Sequence, residues 1–483
     1  MVTISIKNAG KVYDIEVELS DSGKLFKDKI QAVTNIPPER QKILVKGGKV
    51  ADDVTIESLN IPEGKPVMVL GTPDKGLPSK PVEKQVFLED LNESSLYKVD
   101  NEPSGLVNLG NTCYLNSSLQ VMFSISDLKE RLDTFAASSG ANSASTLTVA
   151  LKSLFGQMKK KQQNVNPTIF LTLLRSSFPQ FAERSDHGFY KQQDAEEAYS
   201  QILSTLNSTL KVEDLFRISF KVKSKCLALP DEVQTTSYED SSKLSCHITI
   251  STNFLRDGIL SGLKEKIEKF NDTLQSNAEY ELSRTITRLP KYLTVQFVRF
   301  YWKRDTQKKS KILRKVQFPF ELDLSEMLDE DIKQEKVKVR DEIRRVEKDN
   351  LELIRDFKKA KTVASNSSAA LVNNEEEELK LLSIKSKFQD DLKAALPDLN
   401  LETTTENPSS VYQLQAIISH KGASADSGHY QAFVKDPTDF DGDKWWKYND
   451  DKVSVIEKEK IEQLAGGGES DNALILLYKG IGL

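Results

Sequence analysis

The sequence predicts an α+β protein of at least two units, and three observations carry that expectation. Residues 1–72 alternate in the two-residue period of strands around one short helical stripe. A stretch rich in proline and charge follows, with Pro73, Pro78, Pro81 and Pro103, and reads as a linker over 73–103. Beyond it, helical patterns give way near residue 213 to period-two segments that recur to the C-terminal end.

The totals set the outer limits. At 483 residues the chain exceeds what one ordinary core supports. Charged residues make up 29% with a net charge of -5, so nucleic acid is not an expected partner. No run approaches the roughly 20 apolar residues of a membrane span, and the strand-like start Met1 to Lys7 has no signal-peptide core. Three cysteines make no disulfide framework, which points to a reducing cytosolic or nuclear setting.

In the first unit, Val2, Ile4 and Ile6 alternate with polar residues, and after the Asn8–Lys11 turn a second strand runs through Val12, Ile15, Val17 and Leu19. Ser20, Asp21 and Ser22 supply helix caps, and Phe26, Ile30 and Val33 a helical stripe that Pro37-Pro38 ends. Lys42–Lys46 and Val67–Leu70 read as further strands, with Gly47-Gly48 as a tight turn. This β-β-α-β-β order is similar to the ubiquitin-like β-grasp. Ubiquitin ends in a free Gly-Gly, whereas Gly71-Thr72-Pro73-Asp74 here runs on into more chain, so the unit is expected to be a fixed docking domain.

The stretch from Gly105 to Phe123 begins as a Gly/Asn turn and becomes helical, with Leu115, Leu119, Met122 and Phe123 on one face. Cys113 falls in the first helical turn. There the orphan N–H groups and the positive end of the dipole favour a thiolate, which makes Cys113 a candidate nucleophile. Gly-Leu-Val-Asn-Leu-Gly-Asn-Thr-Cys-Tyr-Leu-Asn-Ser resembles the cysteine box of the ubiquitin-specific proteases. The resemblance implies a papain-like catalytic domain (fingers, palm and thumb) over 104–480. It also implies a distant His and an Asn or Asp to orient it.

Leu147–Met158 is a helical pattern. Tyr190–Glu197 is an acidic helix start, for which dipole capping is one reading. It also resembles the family's Gln-Gln-Asp-Ala box, which would assign Gln193 and Asp194 to binding the C-terminal tail of ubiquitin. Residues 213–288 (Phe216, Ile218, Phe220, Val222; Ile248, Ile250) suggest an antiparallel extension. Many family members carry a zinc ribbon there. Cys226 and Cys246 form no Cys-x-x-Cys pair, so no metal and no cofactor is expected and both thiols are taken as structural. Leu289–Phe300 reads as a buried strand, and Lys303–Lys315 as a basic hairpin tip. The region 327–400, dominated by charge and without glycine, reads as an inserted pair of exposed helices or a partly disordered arm.

The required histidine is met at Ser427-Gly428-His429-Tyr430, between strands Tyr412–Ser419 and Gln431–Val434. The family's Gly-His-Tyr motif selects His429 as general base. His187 and His247 lack that setting, and His420 is expected to be peripheral. In Trp445–Asp451, Asn449 aligns with the family's Asp or Asn, and Asp450 competes as orienter of His429. By the same resemblance Asn108 is the oxyanion-hole donor, and Gly422–Ser427 a gating loop.

Together these features are similar to the proteasome-associated branch of the family. That implies a thiol-dependent deubiquitinase in cytoplasm and nucleus. Its partners would be ubiquitin, polyubiquitin and the proteasome regulatory particle, the last docked through the N-terminal domain. It would trim chains from bound substrates, with activity gated by docking. Two rivals stand beside it: a ubiquitin-binding regulator without catalysis, and a hydrolase for another ubiquitin-like modifier.

Overall fold

The computed structural model describes residues 2–34, 36–45, 50–59, 61, 65–71, 102–137, 142–303, 308–365, 374–424, 427–439, 443–468 and 470–483. The expected Gly47-Gly48 turn and nearly all of the 73–103 linker lie outside these residues. The chain divides into two compact units, Met1–Leu91 and Asn92–Leu483, and each is described by itself.

In the first unit, β1 (Val2–Asn8) and β2 (Lys11–Val17) pair antiparallel over seven positions. The turn between them places Ala9 and Gly10 at φ of 48° and 85°, the double left-handed geometry that a two-residue hairpin needs. Helix α1 (Gly23–Thr34) starts where Ser22 Oγ accepts from the Leu25 N–H at 3.3 Å. The sheet order is β2-β1-β4-β3, with β3 (Lys42–Leu44) and β4 (Val67–Leu70). Phe26 and Ile30 of α1 cover it, meeting Ile4, Ile6, Val17, Ile43 and Val69 in one core. Each such side chain contributes about 1.5–3 kcal/mol by leaving water. Val33, expected on that stripe, is 38% exposed; Thr34 takes the inward position instead, bonding its hydroxyl to the Ile30 carbonyl. Leu44, Met68 and Leu70, on the adjacent strands β3 and β4, are exposed.

The second unit sets helices against a mixed sheet. Helix α2 (Cys113–Phe123) is buried almost throughout, and α3 (Ser126–Thr134), α4 (Ser143–Lys159), α5 (Thr168–Ser177) and α6 (Ala195–Leu210) surround it. The eight-stranded sheet runs β17-β16-β15-β14-β18-β10-β7, with β13 added on β14. Its strands are β7 (Leu244–His247), β10 (Tyr292–Val298), β13 (Glu321–Asp323), β14 (Val411–Ser424), β15 (Ser427–Lys435), β16 (Lys444–Asn449), β17 (Lys452–Glu457) and β18 (Asn472–Gly480). Alternation along these strands feeds two cores. Ile418, Ala432, Trp446 and Leu477 face the helices, while Ile417, Phe433, Trp445 and Leu476 face the opposite layer.

The extension expected over 213–288 is a second sheet, β6-β5-β9-β8, formed by β5 (Ile218–Cys226), β6 (Thr235–Ser241), β8 (Lys264–Asn271) and β9 (Ser276–Arg288). Two details differ from the sequence reading. Phe216 closes a short helix, Glu213–Phe216. The segment near residue 248 supplies β7, which leaves this sheet to pair in parallel with β10, and Ile250 is 93% exposed beyond it. Helix α7 (Leu255–Gly262) follows. A hairpin, β11 (Phe300–Lys303) with β12 (Lys308–Lys311), occupies the basic stretch; its tip at 304–307 lies outside the described residues.

The charged region 327–400 contains two long helices, α8 (Glu330–Ser365) and α9 (Asn374–Ala395). They are not merely exposed. Ile343 and Val346 of α8 and Leu392 of α9 meet Leu396, Leu401, Val411 and Ile481 in a small core of their own, which anchors the base of the arm to β14 and the C-terminal residues. Residues 366–373, between the two helices, lie outside the described residues.

Candidate active site

The turn preceding α2 is shaped by Asn108. Its Oδ1 accepts from the Gly110 N–H at 2.9 Å and, more weakly, from Thr112 N–H at 3.4 Å and Thr112 Oγ at 3.3 Å. Gly110 and Asn111 take φ of 91° and 55°, values that glycine and asparagine adopt at little cost. The chain thereby enters α2 at Cys113. Gly105 fixes the other boundary: a Cβ there would stand 2.5 Å from the Asp451 carbonyl oxygen, so only glycine lets the β16–β17 turn approach this closely.

His429 is on β15, opposite Lys421 of β14. Gly428 before it has φ of 124°, and a Cβ would meet the Lys421 carbonyl at 2.2 Å and His420 Nε2 at 2.7 Å. The imidazole Nε2 lies 2.5 Å from Asn449 Oδ1 at the end of β16. Since that oxygen only accepts, Nε2 carries the hydrogen and Nδ1 is left as the basic nitrogen. The Asp450 carboxylate is 3.9 Å from the same Nε2, beyond hydrogen-bond range.

Asp450 has a different set of contacts. It sits at φ of 57° in the two-residue turn between β16 and β17, and its carboxylate turns toward the cysteine segment. Oδ2 accepts from Asn108 Nδ2 at 2.8 Å and Oδ1 from Asn116 Nδ2 at 2.8 Å, while its carbonyl accepts from Leu106 N–H at 3.0 Å. Asp450 therefore clamps the start of α2 to the strand end that carries Asn449. Sequence reading missed Asn116, which shares its helix with the equally buried Ser117, Ser118 and Gln120, so no local signal sets it apart. Asn108 Nδ2 spends one hydrogen on Asp450 and retains a second.

Cys113 is 3% exposed, and here the structure corrects an expectation. The thiol does not tend toward thiolate on its own. Burial pushes it up to about 11, and the Asp450 carboxylate adds to the rise, against partly compensating backbone hydrogen bonds from Tyr430, Tyr114 and Cys113 itself. The helix start favours the anion, but desolvation outweighs it. Tyr430 immediately follows His429, so its N–H on Sγ places the imidazole's own residue beside the thiol. An imidazolium formed by proton transfer from Cys113 to His429 offsets that rise.

The tail-binding candidates divide. Asp194 caps α6, its Oδ1 accepting from Glu196 N–H at 2.8 Å, which is the capping role open to it from sequence. It also lines a cavity of about 220 Å³ with Glu196, Gln296, Arg299, Tyr301 and Leu474. The Gln193 side-chain nitrogen is buried without a hydrogen-bond partner among the described residues, a donor suited to a peptide carbonyl. Asn111 Nδ2, bonded to the Tyr190 carbonyl at 2.9 Å, ties this loop to the cysteine turn.

The other two thiols belong to different sheets. Cys226 ends β5 and receives a hydrogen bond from Asn271 Nδ2 at 3.8 Å; Cys246 is buried in β7 against the Leu255 carbonyl. Among the described residues no group of three or more His, Cys, Asp or Glu side chains converges as metal ligands, and no helix is long and apolar enough to cross a membrane. His420, expected to be peripheral, is fully buried, because the β11–β12 hairpin and Tyr430 close over its ring.

Comparison with known proteins gives this geometry a setting. Residues 104–478 match the ubiquitin carboxyl-terminal hydrolase family, and residues 3–74 the ubiquitin family. Ubiquitin carboxyl-terminal hydrolase 6 of Schizosaccharomyces pombe is 39% identical, over 99% of both chains. The protein of that name from Arabidopsis thaliana is 35% identical over 99% of both. Ubiquitin carboxyl-terminal hydrolase 14 of Caenorhabditis elegans is 31% identical, over 99% of this chain and 93% of its own.

Proposed function

The chain belongs to the ubiquitin carboxyl-terminal hydrolase family, the cysteine-type deubiquitinases, and we propose that it hydrolyses the bond after the C-terminal glycine of ubiquitin with Cys113, His429, Asn449 and Asn108. One observation carries this assignment: Asn449 Oδ1 holds His429 Nε2 at 2.5 Å while the Tyr430 N–H reaches the Cys113 sulfur. His429 Nδ1 takes the thiol proton as Sγ attacks the glycine carbonyl. The resulting oxyanion is met by the free hydrogen of Asn108 Nδ2 and the backbone N–H of Cys113. His429 then protonates the departing lysine amine, and it activates the water that releases the thioester. Gln193 binds the ubiquitin tail, and Asp194 borders its channel.

The first unit serves as a docking domain for the proteasome regulatory particle, presenting Leu44, Met68 and Leu70. The enzyme trims polyubiquitin from bound substrates in cytoplasm and nucleus. Docking raises its activity by opening the channel for the ubiquitin tail. The test compares wild type with Cys113→Ala on ubiquitin carrying a C-terminal fluorogenic amide, with and without purified proteasomes. Loss of hydrolysis in the variant supports the reading. Hydrolysis that survives the substitution refutes the site assignment, and proteasome effects that persist in it belong to a ubiquitin-binding regulator.

A further inference from the structure

Lys311, the last residue of β12, is a buried charge outside the catalytic set, at 6% exposure. Its ammonium uses all three hydrogens on one short stretch of β14: the His420 carbonyl at 2.6 Å, the Gly422 carbonyl at 3.1 Å and His420 Nδ1 at 3.2 Å. The topology explains why these acceptors are open. Strand β18 begins at Asn472, opposite His420, so β14 continues past its neighbour toward Ser424 with carbonyls on that side lacking a strand partner. Lys311 replaces the missing strand.

The imidazole between these groups has a defined state. Lys311 can only donate, so His420 Nδ1 accepts and Nε2 carries the proton, with the Ser427 carbonyl near the ring. Burial and the Lys311 charge hold His420 down to about 4, with His429 lowering it slightly further. His420 is therefore neutral at working pH. Burial lowers Lys311 to about 8; Arg299 pushes the same way and Asp471 opposes, so the cation persists at pH 7. Arg299 is satisfied in the same manner, by carbonyls of Ala473, Ile312, Arg314 and Ala465. Among the described residues, neither cation has a carboxylate within 4.0 Å. Such a pair of desolvated cations is costly unless the carbonyls stay in place. That cost makes the segment's geometry stiff.

The stiffened segment leads directly to the reacting groups. His420 pairs with Tyr430, and Lys421 with His429, across β14 and β15. The His420 ring lies between Phe300 at 5.5 Å and Tyr430 at 4.6 Å between centroids. Tyr430 N–H is one of three backbone groups that meet Cys113 Sγ.

We propose that Lys311 is a positioning residue for the hydrolysis, its ammonium fixing His420 and Gly422 so that His429 and the Tyr430 N–H are held in register with Cys113. This rests on the site assignment above, and it extends that assignment to a residue 109 positions from His420 that touches no substrate.

The test uses the full chain and ubiquitin with a C-terminal fluorogenic amide. Lys311→Met retains the aliphatic stem and removes the donors; kcat falls on the order of tenfold or more, because misplacement of reacting groups acts on turnover. KM stays within about twofold, and Lys311→Arg recovers part of kcat. Melting curves fix the folded fraction. His420→Phe keeps a ring between Phe300 and Tyr430 but withdraws one acceptor, and it loses severalfold in kcat, which serves if Lys311→Met does not fold. Unchanged kcat per folded molecule in either variant overturns the proposal, as does a loss that follows the folded fraction alone. Cys113→Ala is run in parallel: retained hydrolysis there condemns the site assignment itself, independently of Lys311.

Discussion

Substituting Asn449 separates the two acidic-turn residues that sequence alone leaves in competition. Its Oδ1 holds His429 Nε2 at 2.5 Å, against 3.9 Å for Asp450. Asn449→Ala removes one neutral hydrogen bond from a side chain that is 34% exposed. A bond of this kind is worth about 1 to 1.5 kcal/mol, which at 1.36 kcal/mol per decade is about a five- to twelvefold loss in rate. The loss should fall on kcat, because Asn449 fixes which nitrogen is basic and where it points, and KM for ubiquitin should remain. Asn449→Asp should recover the loss and stabilise the imidazolium, moving the acid limb of kcat/KM to higher pH. Steady-state hydrolysis of ubiquitin with a C-terminal fluorogenic amide, from pH 5 to 9, reads all three quantities. Full kcat in Asn449→Ala would refute the reasoning and return the orienting role to Asp450.

Other expectations concern the support of the site. Asp450→Ala removes the charged acceptor from Asn108 Nδ2 and Asn116 Nδ2, while Asn116 keeps the Leu106 and Val107 carbonyls at 3.3 Å; one charge-assisted bond is worth about 1.5–3 kcal/mol, and urea unfolding of the second unit should shift by about that much. The Cys113 thiol is held up to about 11 in the folded chain against an ordinary 9.0. Its stabilising contribution is complete below pH 9 and is lost as pH rises toward 11. Stability should therefore drop over that window by about 2 to 3 kcal/mol more in wild type than in Cys113→Ala, read by denaturant titration at each pH. Phe26→Ala opens the core of the first unit at a cost of about 3–5 kcal/mol. It should lower that unit's melting transition while leaving hydrolysis of the fluorogenic amide intact, since the second unit has cores of its own.

What the sequence disclosed was local, and what it hid was tertiary. Leu115, Leu119 and Met122 mark α2 because helical periodicity is written in neighbouring positions, and Val67–Leu70 coincides with β4 for the same reason. The helix start that favours a thiolate at Cys113 acts over one turn and is legible locally, whereas the desolvation that opposes it depends on β15, more than 300 residues away. The burial of His420 is not legible in its own strand, because its closing partner Lys311 lies in another element. The base of the α8–α9 arm likewise reads as polar until Val411 and Ile481 supply the apolar surface for Ile343 and Leu392. Asp194 shows the opposite case: its local capping role was legible, and the cavity it borders was not.

The central claim is that Cys113 is the nucleophile which His429 activates as the tail of ubiquitin binds. Ubiquitin bearing a C-terminal electrophile, incubated with wild type and with His429→Ala and followed by peptide mass spectrometry, addresses it directly. The account predicts a single adduct on Cys113, forming far more slowly without His429. An adduct on Cys226 or Cys246, or labelling of Cys113 at an equal rate in both proteins, would contradict it.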